Sequence, residues 1–549
     1  MGKSYDAIVL AGMPGAGKTT VGRALAARLG WAFVDLDVAI EAGAGRSVAA
    51  IFGAEGEAGF RTRERTAVAG LAASLPRPAV VALGGWTVGD PDNLTRLASL
   101  GPIVCLTADP ATLAARMTPA EAATRPRLPS SAEADLADLL AERQPVYDSL
   151  PFQVDTVGRA TSDVADATLR LVDAVGTLDA RAIAVRMTGL DCAARAVPGH
   201  GVVVAPGLLA GLGAWLDARG APGLLAVVAD ARVAALHGTA LMGALRTAGI
   251  AGDPLVLPPG EGTKTLATIS ALYDRFVELG LDRRGLVLAM GGGVVTDAVG
   301  FAAATYLRGV PWVAVPTSLL AMADAAIGGK TGINLPAGKN LAGAFHPPAC
   351  VAVDPTVLAT LSWAELRAGL AEVVKAGLVA DRALFERIER DPLPAPSDAA
   401  AWAELVARAI RVKAAIVGAD TREVAGRIVL NLGHTFAHAL ERATDYRLSH
   451  GEAVSVGLVA ASRLADRLGL TGRQPLASRV EAALARHGLP VRWFGPSPAT
   501  VVEAMSTDKK RLGTRLRLVL PRGIGDVVVR DDIPMTDVAA IVAGLRDDR

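Results

Sequence analysis

Three of the seven histidines in this 549-residue chain fall within one short stretch. His434 and His438 are four residues apart in NLGHTFAHAL, and His450 follows in LSHGEAVSVGL. On a helix, a spacing of four places two side chains on the same face, one turn apart. Imidazole is the commonest metal ligand and titrates near neutral pH. The cluster therefore indicates either metal or proton chemistry or a histidine face that is only structural.

Lysine is scarce, with nine lysines against 47 arginines. Lysine offers a compact, mobile ammonium, whereas arginine offers a planar fork. All lysines except Lys3 fall in glycine-rich or otherwise distinctive stretches: Lys18, Lys264, Lys330, Lys339, Lys375, Lys413, Lys509 and Lys510. Unless this placement is chance, these lysines mark positions that need a mobile cation.

The N-terminal stretch YDAIVLAGMPGAGKTTVGRALAARLG is typical of a buried strand, a glycine loop and a helix. Within it, residues 12–19 fit the pattern GxxxxGK[ST]. In such a loop, backbone N–H groups wrap phosphates, Lys18 reaches the β and γ phosphates and Thr19 can bind Mg²⁺. The predicted nucleotide-binding residues are Gly12, Gly15, Ala16, Gly17, Lys18, Thr19 and Thr20.

The stretches FVDLDVAIE, GFRTRE, VVALGGWTV, ATRPRL and ERQPVYD follow this loop in order. Together they resemble shikimate kinase, a small P-loop fold like that of nucleoside-monophosphate kinases, over about residues 1–175. The resemblance implies that Asp37 activates the attacking hydroxyl, that Asp35 supports Mg²⁺ through water and that Arg125 lies on a lid over ATP. The substrate pocket that it implies consists of Asp37, Arg61, Gly84, Gly85 and Arg143. The chain departs from the family pattern at Trp86, which replaces the third glycine of a GGG turn, and in the lid sequence RPRL.

The second half begins with LLAVVAD and LVLAMGGGVVTDAVGFAAATYL, which are again typical of strand, turn and helix. PGEGTK, VPTSLLAMADAAIGGKTGINLPAGKNLAGAFHPP, AGLAEVVKAGL, NLGHTFAH and HGEAV follow. Residues 185–549 thereby resemble 3-dehydroquinate synthase. The resemblance implies that Glu372, His434 and His450 bind Zn²⁺ or Co²⁺. His438 would then handle protons, or hydrogen-bond the substrate phosphate, beside the metal.

The same resemblance implies two larger sets of site residues. The catalytic and substrate-binding set is Lys330, Asn340, Lys375, Lys413, Arg427, Asn431, His438 and Lys509. The NAD-binding set is Asp230, Glu261, Lys264, Gly293, Val294, Val295, Thr296, Asp297, Thr317, Ser318, Lys330, Lys339, Val357, Leu358, Ala359 and Thr360. The implied reaction converts 3-deoxy-arabino-heptulosonate 7-phosphate to 3-dehydroquinate with release of phosphate, and NAD⁺ is regenerated within each cycle.

The elements that must position these residues indicate an α/β chain of several domains, because 549 residues exceed one hydrophobic core. We expect a P-loop parallel-sheet domain over residues 1–178 and a Rossmann-like NAD-binding domain over residues 179–355. A mostly helical metal-binding domain is expected over residues 356–549, with a strand pair in TRLRLVLPRGIGDVVVR. No long Pro- or Ser-rich linker separates the two halves, so we expect them to pack together.

Composition excludes several classes of function. The formal net charge of +1 gives no global reason to invoke nucleic acid or an anionic membrane. We find no apolar stretch long enough to span a bilayer and no signal peptide, so we expect a cytoplasmic protein. Cys105, Cys192 and Cys350 lack CxxC spacing, which predicts buried thiols rather than a disulfide framework.

The leading hypothesis is a fused enzyme that performs two non-consecutive steps of aromatic biosynthesis. It would use ATP with Mg²⁺, NAD⁺ and Zn²⁺ or Co²⁺, bind only small-molecule substrates and form a homodimer through the synthase half. Alternatively, the P-loop half is a regulatory nucleotide-binding module, or a kinase for gluconate, a nucleoside monophosphate or another small hydroxylated substrate. The second half could instead be another sugar-phosphate cyclase or a polyol dehydrogenase. Lys375, Arg427 and Asn431 argue against a plain dehydrogenase, which has no phosphate to eliminate.

Overall fold

The computed structural model describes residues 6–118, 132–175, 183–186, 201–221, 224–423, 426–472, 475–512 and 516–547. Two sheets with parallel strands organise these residues, and a group of helices follows the second sheet. The predicted order of a P-loop sheet, a Rossmann-like sheet and a mostly helical part is confirmed.

The first sheet has parallel strands throughout. Its strands are β1 (Ala7–Gly12), β2 (Ala32–Asp35), β3 (Ala79–Ala82), β4 (Ile103–Thr107) and β5 (Phe152–Asp155), in the spatial order β2-β3-β1-β4-β5. The helices around it are α1 (Lys18–Leu29), α2 (Leu36–Ala44), α3 (Val48–Ser74), α4 (Pro91–Ala98), α5 (Pro110–Arg116), α6 (Glu133–Tyr147) and α7 (Thr161–Val175). Every residue of β1 and β3 is buried, as expected for parallel strands covered on both faces.

The second sheet is parallel except for its edge strand β6. Its strands are β6 (Ile183–Arg186), β7 (Gly201–Val204), β8 (Leu224–Asp230), β9 (Ala251–Leu257), β10 (Leu286–Gly291), β11 (Trp312–Pro316) and β14 (Cys350–Val353), in the order β6-β7-β14-β11-β10-β8-β9. A hairpin of β12 (Lys330–Leu335) and β13 (Gly338–Phe345) forms a separate pair. The helices are α8 (Leu208–Ala218), α9 (Ala231–Val233), α10 (Thr239–Thr247), α11 (Leu266–Glu278) and α12 (Gly293–Thr305).

Helices dominate the remainder of the chain. They are α13 (Trp363–Ala380), α14 (Arg382–Arg390), α15 (Ala399–Ala419), α16 (His434–Ala443), α17 (His450–Arg467), α18 (Ala477–Arg486), α19 (Pro498–Leu512) and α20 (Met535–Leu545). Glycines let three of these helices approach closely: a Cβ on Gly451 would lie 2.0 Å from the Ala368 carbonyl oxygen, and one on Gly457 would lie 2.2 Å from that of Gly433. The start of α17 is thereby held against α13 and against the start of α16.

The remaining expectations about the fold concern the tail, the cysteines and the contact between halves. The predicted strand pair is confirmed as antiparallel β15 (Leu518–Gly523) and β16 (Asp526–Arg530). Cys105 and Cys350 are buried thiols that form no disulfide among the described residues, whereas Cys192 lies outside the described residues. The two halves are in contact, because α7 packs against α8. Among the described helices, none combines the length and apolar character needed to cross a membrane.

Candidate active sites

The phosphate loop connects β1 to α1 at the carboxyl edge of the first sheet. Gly15 and Gly17 have φ angles of 82° and 93°, in the left-handed region that favours glycine. A Cβ on Gly12 would lie 2.3 Å from the Leu106 carbonyl oxygen, so a larger residue does not fit where β1 leaves the sheet. Lys18 begins α1, and its Nζ donates a hydrogen bond to the Gly12 carbonyl at 2.8 Å. This geometry suits a loop that binds the phosphates of a nucleotide.

Two oxygen-bearing side chains suited to Mg²⁺ lie beside this loop. Thr19 Oγ1 donates to Asp35 Oδ2 at 2.9 Å. Asp35 ends β2 and caps α2, because its Oδ1 accepts a hydrogen bond from the Asp37 backbone N–H at 3.1 Å. Hydroxyl and carboxylate oxygens are the hard donors that Mg²⁺ prefers, and the ion usually keeps several waters. Thr19 and Asp35 therefore fit a magnesium site.

Asp37 and Arg143 adjoin two glycines that follow β3. A Cβ on Gly84 would lie 2.8 Å from Asp37 Oδ1, and one on Gly85 would lie 2.9 Å from Arg143 Nη1. Arg143 is 5% exposed, and burial lowers its pKa. Its Nη1 donates to the Gly85 carbonyl at 3.3 Å, while its Nε has no hydrogen-bond partner among the described residues. A carboxylate and a buried guanidinium with a spare donor thus meet at a turn that has no room for larger residues.

Arg61 reaches the same pocket from α3. Its Nη1 donates to Glu64 Oε2 at 2.8 Å, and its Nη2 donates to Glu57 Oε1 at 3.2 Å. Glu64 is 1% exposed and also accepts a hydrogen bond from Thr87 Oγ1 at 2.7 Å. Glu64 therefore ties Arg61 to the turn after β3 and fixes the direction of its guanidinium. Sequence analysis missed Glu64, because nothing in GFRTRE shows that its last residue is buried.

Trp86 forms one wall of the Arg143 site. The Arg143 guanidinium carbon lies 5.5 Å from the centroid of the Trp86 ring. A Cβ on Gly89 would lie 2.3 Å from Trp86 Cε2, so the indole packs directly on this glycine. The buried Tyr147 hydroxyl donates a hydrogen bond to the Gly85 carbonyl. The indole that replaces a family glycine is thus accommodated by cation–π contact and by a glycine three residues later.

Glu372, His434 and His450 converge where α13, α16 and α17 meet. Each offers one potential ligand atom, and these atoms lie within 4.8 Å of one another. Glu372 Oε1 lies 3.5 Å from His434 Nε2 and 3.3 Å from His450 Nε2. One carboxylate and two imidazoles form a donor set typical of catalytic zinc, which leaves a coordination position for substrate. The three side chains therefore fit such a metal.

Glu372, His434 and His450 are called the metal-binding group below, as the candidate metal site. Glu441 and His438 border this group. Glu441 Oε1 lies 3.4 Å from His450 Nδ1, and a carboxylate on the far nitrogen of a metal-binding imidazole fixes its orientation. Burial disfavours the charged imidazole, but Glu372 and Glu441 outweigh burial and raise the pKa of His450 to about 10. The His438 ring centroid lies 5.5 Å from that of His434 and 6.3 Å from that of His450. His438 is therefore beside the metal-binding group and outside its ligand set.

Asp324 joins two of the scarce lysines next to the metal-binding group. Its Oδ1 lies 3.3 Å from Lys375 Nζ and 2.9 Å from Lys413 Nζ. Lys375 Nζ also lies 2.5 Å from Glu372 Oε2. Burial opposes ionisation of Asp324, but the two ammonium groups outweigh it and hold the pKa of this carboxyl well below its usual range. Sequence analysis missed Asp324, because AMADAAIGG places it among small apolar residues.

Glu423, also missed, links Lys330 to Asn431. Its Oε2 forms an ion pair with Lys330 Nζ, and its Oε1 accepts a hydrogen bond from Asn431 Nδ2 at 3.2 Å. The neighbouring Arg427 is 2% exposed, and its Nη1 donates to the Gly328 carbonyl at 3.2 Å. Glu423 and Asp324 both favour the charged guanidinium of Arg427, against the burial that lowers its pKa. The lysines, Arg427 and Asn431 thus form one cationic wall supported by the partly buried carboxylates of Asp324 and Glu423.

The residues predicted to bind NAD lie at the carboxyl ends of neighbouring strands of the second sheet. These positions are Asp230 at the end of β8, Gly293–Asp297 after β10, Thr317 and Ser318 after β11, and 357–360 after β14. A Cβ on Gly292 would lie 3.4 Å from Ser318 Oγ, and one on Gly293 would lie 3.2 Å from the Ala325 Cβ. The N-terminus of α12 begins at this narrow turn. Such an edge, with a helix N-terminus and little side-chain bulk, fits a dinucleotide pyrophosphate.

Lys264 connects this edge to the β12–β13 hairpin. Its Nζ donates to Asp297 Oδ2 at 2.7 Å and to Asn340 Oδ1 at 2.5 Å, and it lies 4.0 Å from Glu261 Oε1. Burial raises the pKa of Asp297, although Lys264 opposes that effect. Asn340, predicted on the substrate side, therefore contacts a residue predicted on the NAD side.

Three further predicted residues are Lys339, Arg125 and Lys509. Lys339 Nζ lies 4.1 Å from the centroid of the Tyr446 ring. Arg125 falls outside the described residues. The backbone of Lys509 belongs to α19, but its side chain is outside the described part of the chain.

Family models match both halves of the chain. A model described as shikimate kinase matches residues 14–173. Models described as 3-dehydroquinate synthase N-terminal and 3-dehydroquinate synthase C-terminal match residues 254–368 and 369–511. The first matched range contains most of the phosphate loop and the pocket around Asp37, Arg61 and Arg143, called the acid pocket below. The other two contain the metal-binding group and the cationic wall.

Individual relatives match the second half over nearly their whole length. The 3-dehydroquinate synthase of Synechococcus sp. is 45% identical over 352 residues, which cover 63% of this chain and 95% of that protein. The protein of the same name from Ruegeria pomeroyi is 44% identical over 351 residues, which cover 62% of this chain and 95% of that protein. A solved structure is also similar: ValA, a 2-epi-5-epi-valiolone synthase from Streptomyces hygroscopicus with NAD⁺ and Zn²⁺ bound. Its sequence is 33% identical and its TM-score is 0.59, and the match covers 66% of this chain and 99% of that chain.

Proposed function

This chain belongs to the 3-dehydroquinate synthase family and carries a shikimate kinase domain ahead of the synthase part, and we propose which of its residues perform each reaction. It is a bifunctional enzyme that phosphorylates shikimate with ATP and cyclises 3-deoxy-arabino-heptulosonate 7-phosphate to 3-dehydroquinate. The observation that carries the residue assignment is the convergence of Glu372, His434 and His450 beside a cationic wall. We divide the chain into a kinase domain (1–178), an NAD-binding domain (179–355) and a metal- and substrate-binding domain (356–549).

In the kinase half, we assign Asp37 the role of orienting and deprotonating the shikimate hydroxyl that attacks ATP. Arg61 and Arg143 bind the shikimate carboxylate, since guanidinium groups pair with carboxylates through two parallel hydrogen bonds. Lys18 binds the β and γ phosphates together with the loop amides. Mg²⁺ held by Thr19 and, through water, by Asp35 would neutralise charge on these phosphates when bound.

In the synthase half, we assign Glu372, His434 and His450 as the ligands of Zn²⁺ or Co²⁺. We assign the carboxyl edge of the second sheet to NAD, that is, the predicted NAD-binding residues that follow β8, β10, β11 and β14. When bound, the metal would supply Lewis acidity and NAD would accept a hydride and return it in the same cycle.

The polar side chains around the metal site bind the substrate and handle its protons. We assign Lys330, Lys375, Lys413, Arg427, Asn431, Asn340 and Lys509 to the phosphate and carboxylate of the substrate. Ammonium groups on flexible stems can follow a substrate that changes shape during several steps. His438 holds or transfers a proton at the substrate phosphate, because its ring lies beside the metal-binding group without belonging to it.

We further propose that the synthase half forms a homodimer in the cytoplasm, where ATP and NAD⁺ are available. Support for the dimer comes from apolar side chains that are more than half exposed in this half, among them Val256 at 55%, Leu266 at 62% and Val277 at 66%. The mass of the full chain in solution, measured by sedimentation, tests this proposal.

The kinase assignment is tested first by ATP-dependent phosphorylation of shikimate with the purified full chain. Gluconate, an open-chain hydroxylated carboxylate, and CMP, which has hydroxyl groups but no carboxylate, serve as the alternative substrates. We expect turnover with shikimate alone, because Asp37, Arg61 and Arg143 adjoin one pocket. Binding of ATP without any turnover would instead support a regulatory nucleotide-binding half, and turnover of gluconate or CMP would support a different kinase.

Replacing Asp324 with asparagine is expected to impair the synthase. The change removes the carboxylate that Lys375 and Lys413 share and leaves two ammonium groups without their common partner. Because hydrogen bonds to charged groups contribute about 1.5–3 kcal/mol, kcat/KM for cyclisation should fall roughly 10- to 100-fold. Phosphate release in a steady-state assay measures the effect.

The kinase activity of the same chain provides an internal control for the Asp324 variant. Asp526→Asn is the matched control variant, because Asp526 is 53% exposed and pairs with Arg522 at the surface of the synthase half. An Asp324→Asn enzyme with wild-type kcat/KM would show that the two lysines do not need this carboxylate.

A further inference from the structure

Helix α8, the first described helix of the synthase half, is buried over most of its circumference, and Ala210, Ala214 and Asp217 form an exposed or partly exposed stripe. One side meets α10, where a Cβ on Gly213 would lie 2.1 Å from the Ala244 carbonyl oxygen. Its N-terminal end is held by Asp354, whose carboxylate accepts hydrogen bonds from the backbone N–H groups of Gly207 and Leu209 at 2.8 Å each. The buried apolar side of a helix must be covered by neighbouring elements. The remaining side of α8 faces the kinase half.

Two residues from the end of α8 contact one carbonyl of the kinase half. Trp215 Nε1 donates a hydrogen bond to the Pro151 carbonyl at 3.3 Å, and Arg219 Nη2 donates to the same oxygen at 3.2 Å. The Arg219 guanidinium carbon lies 3.8 Å from the centroid of the Trp215 ring. At the rim of this contact, Arg170 forms an ion pair with Asp217 at 2.7 Å. The two halves are therefore joined by a directed polar contact as well as by packing.

Arg219 is an unusual residue to bury at such a contact. It is 6% exposed, and among the described residues no carboxylate lies within ion-pair distance of it. Its Nη1 has no hydrogen-bond partner in the described part of the chain, and burial lowers its pKa to about 10. A buried cation without an ion-pair partner is costly, although the charge of Asp148 favours it. A hydrophobic residue would fill the same space at lower cost, so the Pro151 hydrogen bond and the Trp215 stacking indicate a role beyond packing.

The Pro151 carbonyl lies four residues after the helix that carries Arg143, one of the two arginines of the shikimate pocket. Helix α6 ends at Tyr147, and the turn between Tyr147 and Pro151 leads into β5. Gln153 Nε2 donates to the Tyr147 carbonyl at 3.1 Å and to the Leu150 carbonyl at 3.3 Å, so the turn is rigid. Within the last two turns of α6, the side chains of Arg143 and Tyr147 both donate to the Gly85 carbonyl. A displacement of Pro151 would therefore displace the end of α6 and these two side chains.

We propose that Arg219, together with Trp215, is a positioning residue for shikimate phosphorylation that the synthase half supplies to the kinase half. By holding the Pro151 carbonyl, Arg219 fixes the C-terminal end of α6 and keeps Arg143 in place for the shikimate carboxylate. The proposal rests on the proposed function of the acid pocket. According to this proposal, the affinity of the kinase for shikimate depends on contact with the synthase half, although Arg219 contacts neither shikimate nor ATP.

The test compares Arg219→Met with the wild-type full chain. Methionine keeps an unbranched apolar stem and removes the donors to Pro151. Loss of one buried hydrogen bond should raise KM for shikimate about tenfold, with KM for ATP and kcat of the kinase changed by less than about threefold. Arg219→Lys, which restores a single donor, should recover part of the loss. Arg246→Met is the matched control, because Arg246 is exposed on α10 of the same half.

Two outcomes of this comparison would overturn the proposal. One is an unchanged KM for shikimate in Arg219→Met, and the other is an equal loss of kinase and synthase activity, which indicates a purely structural contact. Should Arg219→Met fail to fold, Trp215→Phe removes the indole N–H and keeps a smaller aromatic ring, and it should raise KM for shikimate about two- to fourfold, since one weaker hydrogen bond is lost.

Hydrogen exchange separates this proposal from the proposed function itself. A wild-type chain that does not phosphorylate shikimate would contradict the kinase assignment. Amide exchange over residues 143–155 needs no turnover, and we expect it to be faster in Arg219→Met than in wild type and in Arg246→Met. Exchange that does not change in this segment would overturn the positioning role, whatever the wild-type chain phosphorylates.

Discussion

Asp37→Asn is expected to lower kcat for shikimate phosphorylation by about 10²- to 10⁴-fold, the usual contribution of a positioned general base. The amide keeps the size and the hydrogen-bonding shape of the carboxylate, but it cannot accept the proton of the attacking hydroxyl. The carboxylate lies against Gly84, where a Cβ would come within 2.8 Å of Asp37 Oδ1, so the replacement has little freedom to turn away. KM for ATP should stay near the wild-type value, because Asp37 is assigned to shikimate. Steady-state kinetics with each substrate varied in turn measures both parameters.

Asp92→Asn is the matched control for this variant, since Asp92 is an exposed carboxylate in the first turn of α4 in the same half. The synthase activity of the same protein shows whether the chain is folded. A fall in kcat of less than about threefold would be far below the range for general base catalysis and would remove Asp37 from that role. The attacking hydroxyl would then need no protein base, and positioning by Arg61 and Arg143 would account for catalysis.

The elements that carry the two sites could be predicted from sequence because each is encoded locally. A buried strand, a glycine turn and an amphipathic helix follow one another within about 25 residues at both the phosphate loop and the NAD edge, so periodicity and glycine spacing identify them. The two histidines four apart likewise needed only helical geometry to be placed on one face. The resemblance then supplied the assignment of His434, His450 and the distant Glu372 as metal ligands, which no local pattern marks.

The acidic partners could not be predicted, because their role exists only in three dimensions. Asp324 contacts Lys375 and Lys413, which lie 51 and 89 positions away in sequence. Glu423 and Glu64 resemble ordinary surface acids in their sequence context, and only their ion pairs with Lys330 and Arg61 reveal that each fixes a cation of a site. An active site rich in cations needs such carboxylates, because neighbouring ammonium and guanidinium groups repel one another when they are desolvated.

The contact between halves was predictable only in outline. The lack of a flexible linker indicated that the halves pack together, but it did not indicate which helix forms the contact. An arginine just after the C-terminus of α8 is typical of a cation that interacts with the helix dipole in solvent. Its burial against Pro151 follows from the packing of α7 on α8, which joins residues far apart in the chain.

Glu372→Gln is expected to abolish stable metal binding and with it the synthase activity. Even residues that only support metal ligands contribute about 10- to 100-fold to metal affinity or activity, so loss of a ligand itself should cost at least about 100-fold. A neutral amide oxygen is a poorer ligand for Zn²⁺ than a carboxylate, and the change also removes the partner of Lys375 at 2.5 Å. Metal content after dialysis, together with Co²⁺ titration followed by visible absorption, measures the affinity independently of turnover.

The kinase activity should be unchanged in Glu372→Gln, because the metal-binding group lies entirely in the helical part of the synthase half. Glu404→Gln is the matched control, since Glu404 is 56% exposed and pairs with Arg387 on the surface of the same part. Wild-type zinc content and synthase rate in Glu372→Gln would exclude this carboxylate from the ligand set. A loss of zinc with full synthase activity would separate metal binding from catalysis and leave the cationic wall to promote the reaction alone. Loss of both, with the kinase intact, is the result that the convergence of one carboxylate and two imidazoles leads us to expect.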